Sequence, residues 1–185
     1  MTHASPVLHM FWMSSLFEQA LCVADPMTVE NVDTIVLALG NPLRGDDGVG
    51  AAIIKQIAQS NFPPGVSLLD GGTPGLETVL LLQNYRRAII IDAAEMGLEP
   101  GQWRRFIPGN DAWLQPADMY LRGTLHYAGL AEALALGEAL GVLPEEIVIY
   151  GIQPAEIGWS SGLSVAVAAA IPLVCEKILR ELKAA

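Results

Sequence analysis

Charge is scarce in this chain, and one sign of it dominates: charged residues make up 16% of the 185, with 20 acids against 10 bases. The formal charge is −10, and bases cluster no further than the pairs Arg86-Arg87 and Arg104-Arg105. Both facts argue against a nucleic-acid footprint, which would show as a basic stripe. Cysteine is almost missing. Cys22 and Cys175 cannot build a disulfide framework, so they read as buried or incidental thiols of a cytoplasmic protein. Membrane spans are lacking as well. Residues 7–23 are fairly apolar, but Glu18 interrupts them and no Lys or Arg precedes them, while the apolar stretch 163–175 is too short to cross.

What is abundant is apolar. Hydrophobic residues are 52% of the chain, enough for a one-domain core without disulfide staples and for strands buried on both faces, as parallel sheets have. Residues 1–30 look unlike the remainder and are expected to be a loose N-terminal extension, leaving 31–185 as one domain. There strand and helix patterns alternate, the signature of an α/β layer fold. Residues 34–39 (TIVLAL), 66–70, 88–91 and 146–152 read as strands, and 102–107 as a further edge strand. Residues 49–60 read as a helix with Val49, Ala52, Ile53 and Ile57 on one face. Thr73-Pro74 predicts an N-cap and first-turn proline for a helix reaching about Tyr85. Residues 125–140 and 164–183 complete the helices; in the last one Pro172 marks a kink or the true first turn. The expected fold is a single three-layer α/β domain with a mostly parallel, twisted sheet of about five strands flanked by helices.

Ligands of an open α/β sheet bind outside the carboxyl ends of its strands, and three such loops carry acids or a histidine. The first reads Gly-Asn-Pro-Leu-Arg-Gly-Asp-Asp-Gly-Val-Gly over residues 40–50. It is not a dinucleotide fingerprint, because two acids stand where a pyrophosphate would sit, and it lacks the Gly-Lys-Ser/Thr of a P-loop. Asp46 or Asp47 alone would pass for a helix cap, but two adjacent acids cannot both cap, which leaves one to face the cleft. Asp92 closes a four-residue apolar strand, where a carboxylate is costly unless paired or bound, although aspartate is also an ordinary turn residue. Asp70, flanked by Gly71-Gly72, ends the second strand in a similar way. His126 is the only histidine outside the first thirty residues and opens a helix, where the positive dipole end favours the neutral imidazole that a metal needs. Gly158-Trp159-Ser160-Ser161-Gly162 matches a nucleophile elbow by letters only, since no strand runs straight into Ser160 and no histidine follows it.

In order and spacing, these segments resemble the hydrogenase maturation endopeptidases, which trim the carboxyl-terminal extension of a NiFe-hydrogenase large subunit. The motifs that carry the resemblance are Gly40-Asn41-Pro42-Leu43 running into Asp46-Asp47-Gly48-Val49-Gly50, then Asp70-Gly71-Gly72-Thr73 and Ile90-Ile91-Asp92-Ala93. His126 with Gly129-Leu130, and Gly151-Ile152-Gln153-Pro154, complete a series covering about residues 34–182. The resemblance implies a phosphorylase/hydrolase-like fold. It also implies that Asp47, Asp92 and His126 bind a metal, with Asp47 or Asp92 as the catalytic base and Asp46 left as a capping residue. The metal would be nickel delivered by the precursor, with another divalent ion able to substitute. The chain departs from the family in having aspartate at Asp47, where glutamate is frequent, and Tyr127 where a polar residue often follows the histidine.

Two carboxylates and one imidazole neutralise a divalent cation and leave positions open for substrate or water. The resemblance implies an endopeptidase acting on a NiFe-hydrogenase large-subunit precursor after nickel insertion; no nucleic acid and no membrane insertion are expected. Two other readings stand beside it. One is a non-proteolytic nickel-binding checkpoint or chaperone that uses the same ligands. The other is a different hydrolase on a similar sheet, such as a nucleosidase, which would want base-binding residues that have no evident place here.

Overall fold

The computed structural model describes residues 33–108 and 125–184, with backbone alone for 125–128. The expected extension at 1–30, with Cys22 in it, lies outside the described residues. Five strands form one sheet: β1 (Thr34–Ala38), β2 (Val66–Asp70), β3 (Arg87–Ala93), β4 (Trp103–Phe106) and β5 (Glu146–Ile152), in the order β2-β1-β3-β5-β4. The pairs β1–β2, β1–β3 and β3–β5 are parallel, and only β4 runs antiparallel, at the edge against β5. This is the expected mostly parallel sheet.

Every residue of β1 and β3 is buried, so their centres, residues 35–38 and 88–91, read as continuous apolar runs. Their side chains still divide by the two-residue period of a strand. Val36, Ile89, Ile91, Val148, Tyr150 and Ile152 meet helices α1 (Val49–Ile57) and α4 (Val165–Lys183) on one side. Ile35, Leu37, Ala88, Ile90, Ile147 and Ile149 meet α2 (Thr78–Leu82) and α3 (Leu125–Leu140) on the other. Two separate apolar clusters thus make three layers, and each fully buried isoleucine contributes roughly 1.5–3 kcal/mol.

Of the expected stripe on α1, Val49, Ile53 and Ile57 are fully buried and Ala52 is half-buried, and the helix stops at Ile57, short of residue 60; Ile171, Val174, Ile178 and Leu182 of α4 are buried. Ser164 caps α4, its hydroxyl accepting the Val167 N–H at 3.3 Å, so Pro172 lies inside the helix and is not its first turn. The segment after β2 corrects a second expectation. Thr73 caps nothing: a 3-10 turn at Gly75–Glu77 precedes α2, which stops at Leu82. Gly75 has φ +57, a left-handed conformation that interrupts any regular α-helix entered at Pro74. Cys175 is buried as expected, and burial pushes its thiol up to about 11. Among the described residues, no helix is long and apolar enough to cross a membrane.

Candidate active site

The sheet order reverses direction around β1 and β3: the chain leaves β1 for β2 on one side and builds β3, β5 and β4 on the other. Loops leaving these two strands diverge, and the crevice between them is where α/β sheets place ligands. Two of the acids singled out from the sequence, Asp47 and Asp92, sit at this crevice.

After β1, the chain turns through Gly40 (φ +115), whose missing side chain lets the Asp47 carbonyl come within 2.0 Å of where a Cβ would stand. The loop then tightens into a 3-10 turn, Asp46–Gly48, that leads straight into α1. Gly50, in the first turn of α1, packs against strand ends so closely that a Cβ there would lie 2.9 Å from the Leu39 carbonyl oxygen and 3.0 Å from that of Ile91. The turn is thereby pressed onto the ends of β1 and β3. Asp47 is fully buried in it, and its Oδ2 accepts the Asn41 N–H at 2.9 Å.

Asp92 is the sixth residue of β3 and is also fully buried. Neither of its carboxylate oxygens has a hydrogen-bond partner among the described residues. Burial drives its pKa well above the usual carboxylate range, and repulsion from Asp47 drives it further. The Ala93 backbone opposes this only in part. Two buried carboxylates that repel one another are an unfavourable arrangement until a proton or a cation joins them.

His126 stands in the first turn of α3, and its side chain lies outside the described residues. Among the described residues, no group of three or more His, Cys, Asp or Glu side chains is gathered to hold a metal; the structure brings together Asp47 and Asp92. Asp70 is exposed at the end of β2, and its Oδ1 accepts the Gly72 N–H at 3.2 Å, so its turn-forming role accounts for it. Asp46 does not act as a helix cap. Neither the 3-10 turn nor α1 has a side-chain cap, and the Asp46 carboxylate instead accepts backbone N–H groups of Ala155, Glu156 and Ser164. Ser160 is exposed and its Oγ reaches only the Gly158 carbonyl, consistent with a chance match to the nucleophile elbow.

One positioning side chain beside the site escaped the sequence reading. Gln153, at the end of β5, is buried, and its Oε1 accepts the N–H groups of Met96 at 2.7 Å and Leu98 at 3.2 Å. Its Nε2 donates to Glu95 at 2.8 Å. A single side chain therefore fixes the loop that leaves β3 just beyond Asp92. The Gly-Ile-Gln-Pro motif was visible in the sequence, but nothing in it shows that the glutamine reaches residues 55 to 58 positions away.

A hydrogenase maturation protease family model matches residues 51–181, well over half of the chain. The chain belongs to this family. Among curated members of hydrogenase assembly systems, the hydrogenase expression/formation protein HupM of Azotobacter chroococcum is 33% identical over 132 residues. That match covers 71% of this chain and 62% of HupM, so the chain spans less than two thirds of that relative. HupD of Rhodobacter capsulatus is 32% identical over 153 residues, covering 81% of this chain and 71% of HupD. Among solved structures, the hydrogenase maturating endopeptidase HybD of E. coli superposes with a TM-score of 0.72 at 29% identity, covering 82% of this chain and 92% of HybD. The maturation-protease fold is thus shared across most of the chain.

Proposed function

We propose that this chain is the endopeptidase that removes the C-terminal extension of a NiFe-hydrogenase large-subunit precursor once nickel has been inserted. Family membership supports the substrate class. The observation that carries the reading is the buried, mutually repelling pair Asp47 and Asp92 at the sheet's switch point. Such a pair fits a divalent cation: both Asp92 oxygens are buried without a hydrogen-bond partner among the described residues, and a dication would offset the repulsion between the two acids.

In this reading Asp47, Asp92 and His126 hold the cation, and the nickel is a part of the substrate that the precursor brings with it. A cation bound there supplies Lewis-acid polarisation of a peptide carbonyl. The chain's own groups do the remainder. The Asn41 N–H holds Asp47 in place, and Gly50 keeps the acidic turn against the strand ends. Asp92, whose pKa burial and the neighbouring Asp47 raise, is suited to take a proton from water and to pass it to the leaving amine. Asp47 or Asp92 thus serves as the base.

The test is to incubate the full chain with nickel-loaded and with nickel-free precursor and to weigh the products. Loss of a C-terminal peptide from the nickel-loaded form alone is the expected result. An intact precursor in both cases, with tight binding, would replace the endopeptidase with a nickel checkpoint.

A further inference from the structure

Asp46 is 2% exposed, yet it neither caps a helix nor belongs to the acidic pair. Its Oδ1 accepts the Ser164 N–H at 2.6 Å; its Oδ2 accepts those of Ala155 at 2.8 Å and Glu156 at 3.3 Å. The backbone reinforces this grip. Gly45 N–H donates to the Ser160 carbonyl at 3.1 Å, and Asp46 N–H donates to the Glu156 carbonyl at 3.4 Å. The short turn carrying Asp47 is therefore tied to the strap between β5 and α4, which begins where Gln153 secures the loop beyond Asp92.

We infer that Asp46 is a positioning residue: its carboxylate, bound to the strap through three backbone N–H groups, orients the 3-10 turn so that Asp47 faces Asp92. The inference rests on the proposed endopeptidase activity. The geometry makes the two adjacent acids divide the work. Successive side chains on a 3-10 turn point about 120° apart. One carboxylate therefore faces the strap while its neighbour returns toward the Asn41 N–H and the crevice. A carboxylate suits the first place because both of its oxygens accept. In Asp46→Asn, one of them becomes an NH2 group that meets an N–H, either of Ser164 or of Ala155 and Glu156, and that side of the grip opens.

The experiment compares the wild type with Asp46→Asn and with Ile178→Val, which loses one core methyl far from the turn and controls for lost stability. Precursor cleavage gives kcat and KM, and the amide signals of Asn41, Ala155 and Ser164 in a 1H–15N spectrum report the geometry without substrate. The expected result for folded Asp46→Asn is a kcat lower by about 100-fold, the scale of a 1 Å misplacement, with KM unchanged and all three amides shifted. Ile178→Val keeps wild-type kcat. A folded Asp46→Asn with wild-type kcat, or with an unmoved Asn41 amide, would overturn the inference. If Asp46→Asn does not fold, Ser164→Pro removes one donor where φ is already −60, Ser164→Ala controls for the hydroxyl cap of α4 that is lost with it, and the same two readouts decide. Were the wild type to leave the precursor intact, the endopeptidase reading would fall, and the Asn41 amide alone would judge the positioning role.

Discussion

Replacing Asp92 by asparagine should make the protein more stable at neutral pH, and by an amount that grows with pH. Asp92 is fully buried, and burial followed by repulsion from Asp47 raises its folded-state pKa. The unfolded chain releases this proton near the ordinary value, about 3.9. Below that pH both states are protonated and Asp92 costs nothing. Above it the unfolded chain has lost a proton that the folded chain keeps, so stability falls by about 1.4 kcal/mol per pH unit until the folded pKa is reached. For a domain of this size that slope corresponds to roughly 3–5 °C of Tm per pH unit. The carboxamide of Asp92→Asn approximates the protonated carboxyl in shape and removes the titration. The Tm difference between variant and wild type should therefore be small at pH 4 and widen steadily above it. Scanning calorimetry from about pH 4 to 8 without added metal measures this, a range that starts near the ordinary carboxylate value. Parallel Tm profiles for the two proteins would refute the claim that burial and repulsion from Asp47 disfavour the charged form of Asp92.

Gly50→Ala should lower stability by about 1–3 kcal/mol in chemical denaturation, because the new methyl group meets the carbonyl oxygens of Leu39 and Ile91 at about 3 Å. The same push should also slow precursor cleavage by lifting the acidic turn off the strand ends. Gln153→Ala leaves the N–H groups of Met96 and Leu98 without their acceptor, a loss of about 1–3 kcal/mol. Hydrogen exchange should then quicken at these two amides and stay unchanged in β1. Ile178→Ala, at a position with no exposed surface, should cost about 2–5 kcal/mol in urea unfolding, through a cavity between α4 and the sheet.

The parallel strands were easy to read from the sequence because each is built on a short apolar run, and the first two are closed by turn residues: Gly40-Asn41-Pro42 follows β1, and Gly71-Gly72 follows β2. The helical stripes of α1 and α4 followed from spacing alone. The helix after β2 was overextended because Thr73-Pro74 is a good local start signal, whereas the left-handed Gly75 that breaks it depends on backbone context. Asp92 stood out because it follows an apolar run, although an ordinary turn aspartate would read the same way; the strand in fact continues through it to Ala93, which buries the carboxylate. Asp47 and Asp46 could be told apart only by resemblance. The partners that separate them structurally are Asn41 for one and residues 109 to 118 positions away for the other. Contacts of that range leave no mark in local pattern, and the roles of Asp46 and Gln153 became evident only in the folded chain.

The central claim is that Asp47, Asp92 and His126 form one working site that trims a nickel-loaded precursor. It is tested most directly by the mass of that precursor after incubation with the wild type and with a folded His126→Ala variant. The account predicts a shortened large subunit with the wild type and an unchanged mass with the variant, whose Tm stays close to the wild-type value. Cleavage by His126→Ala at the wild-type rate would contradict it.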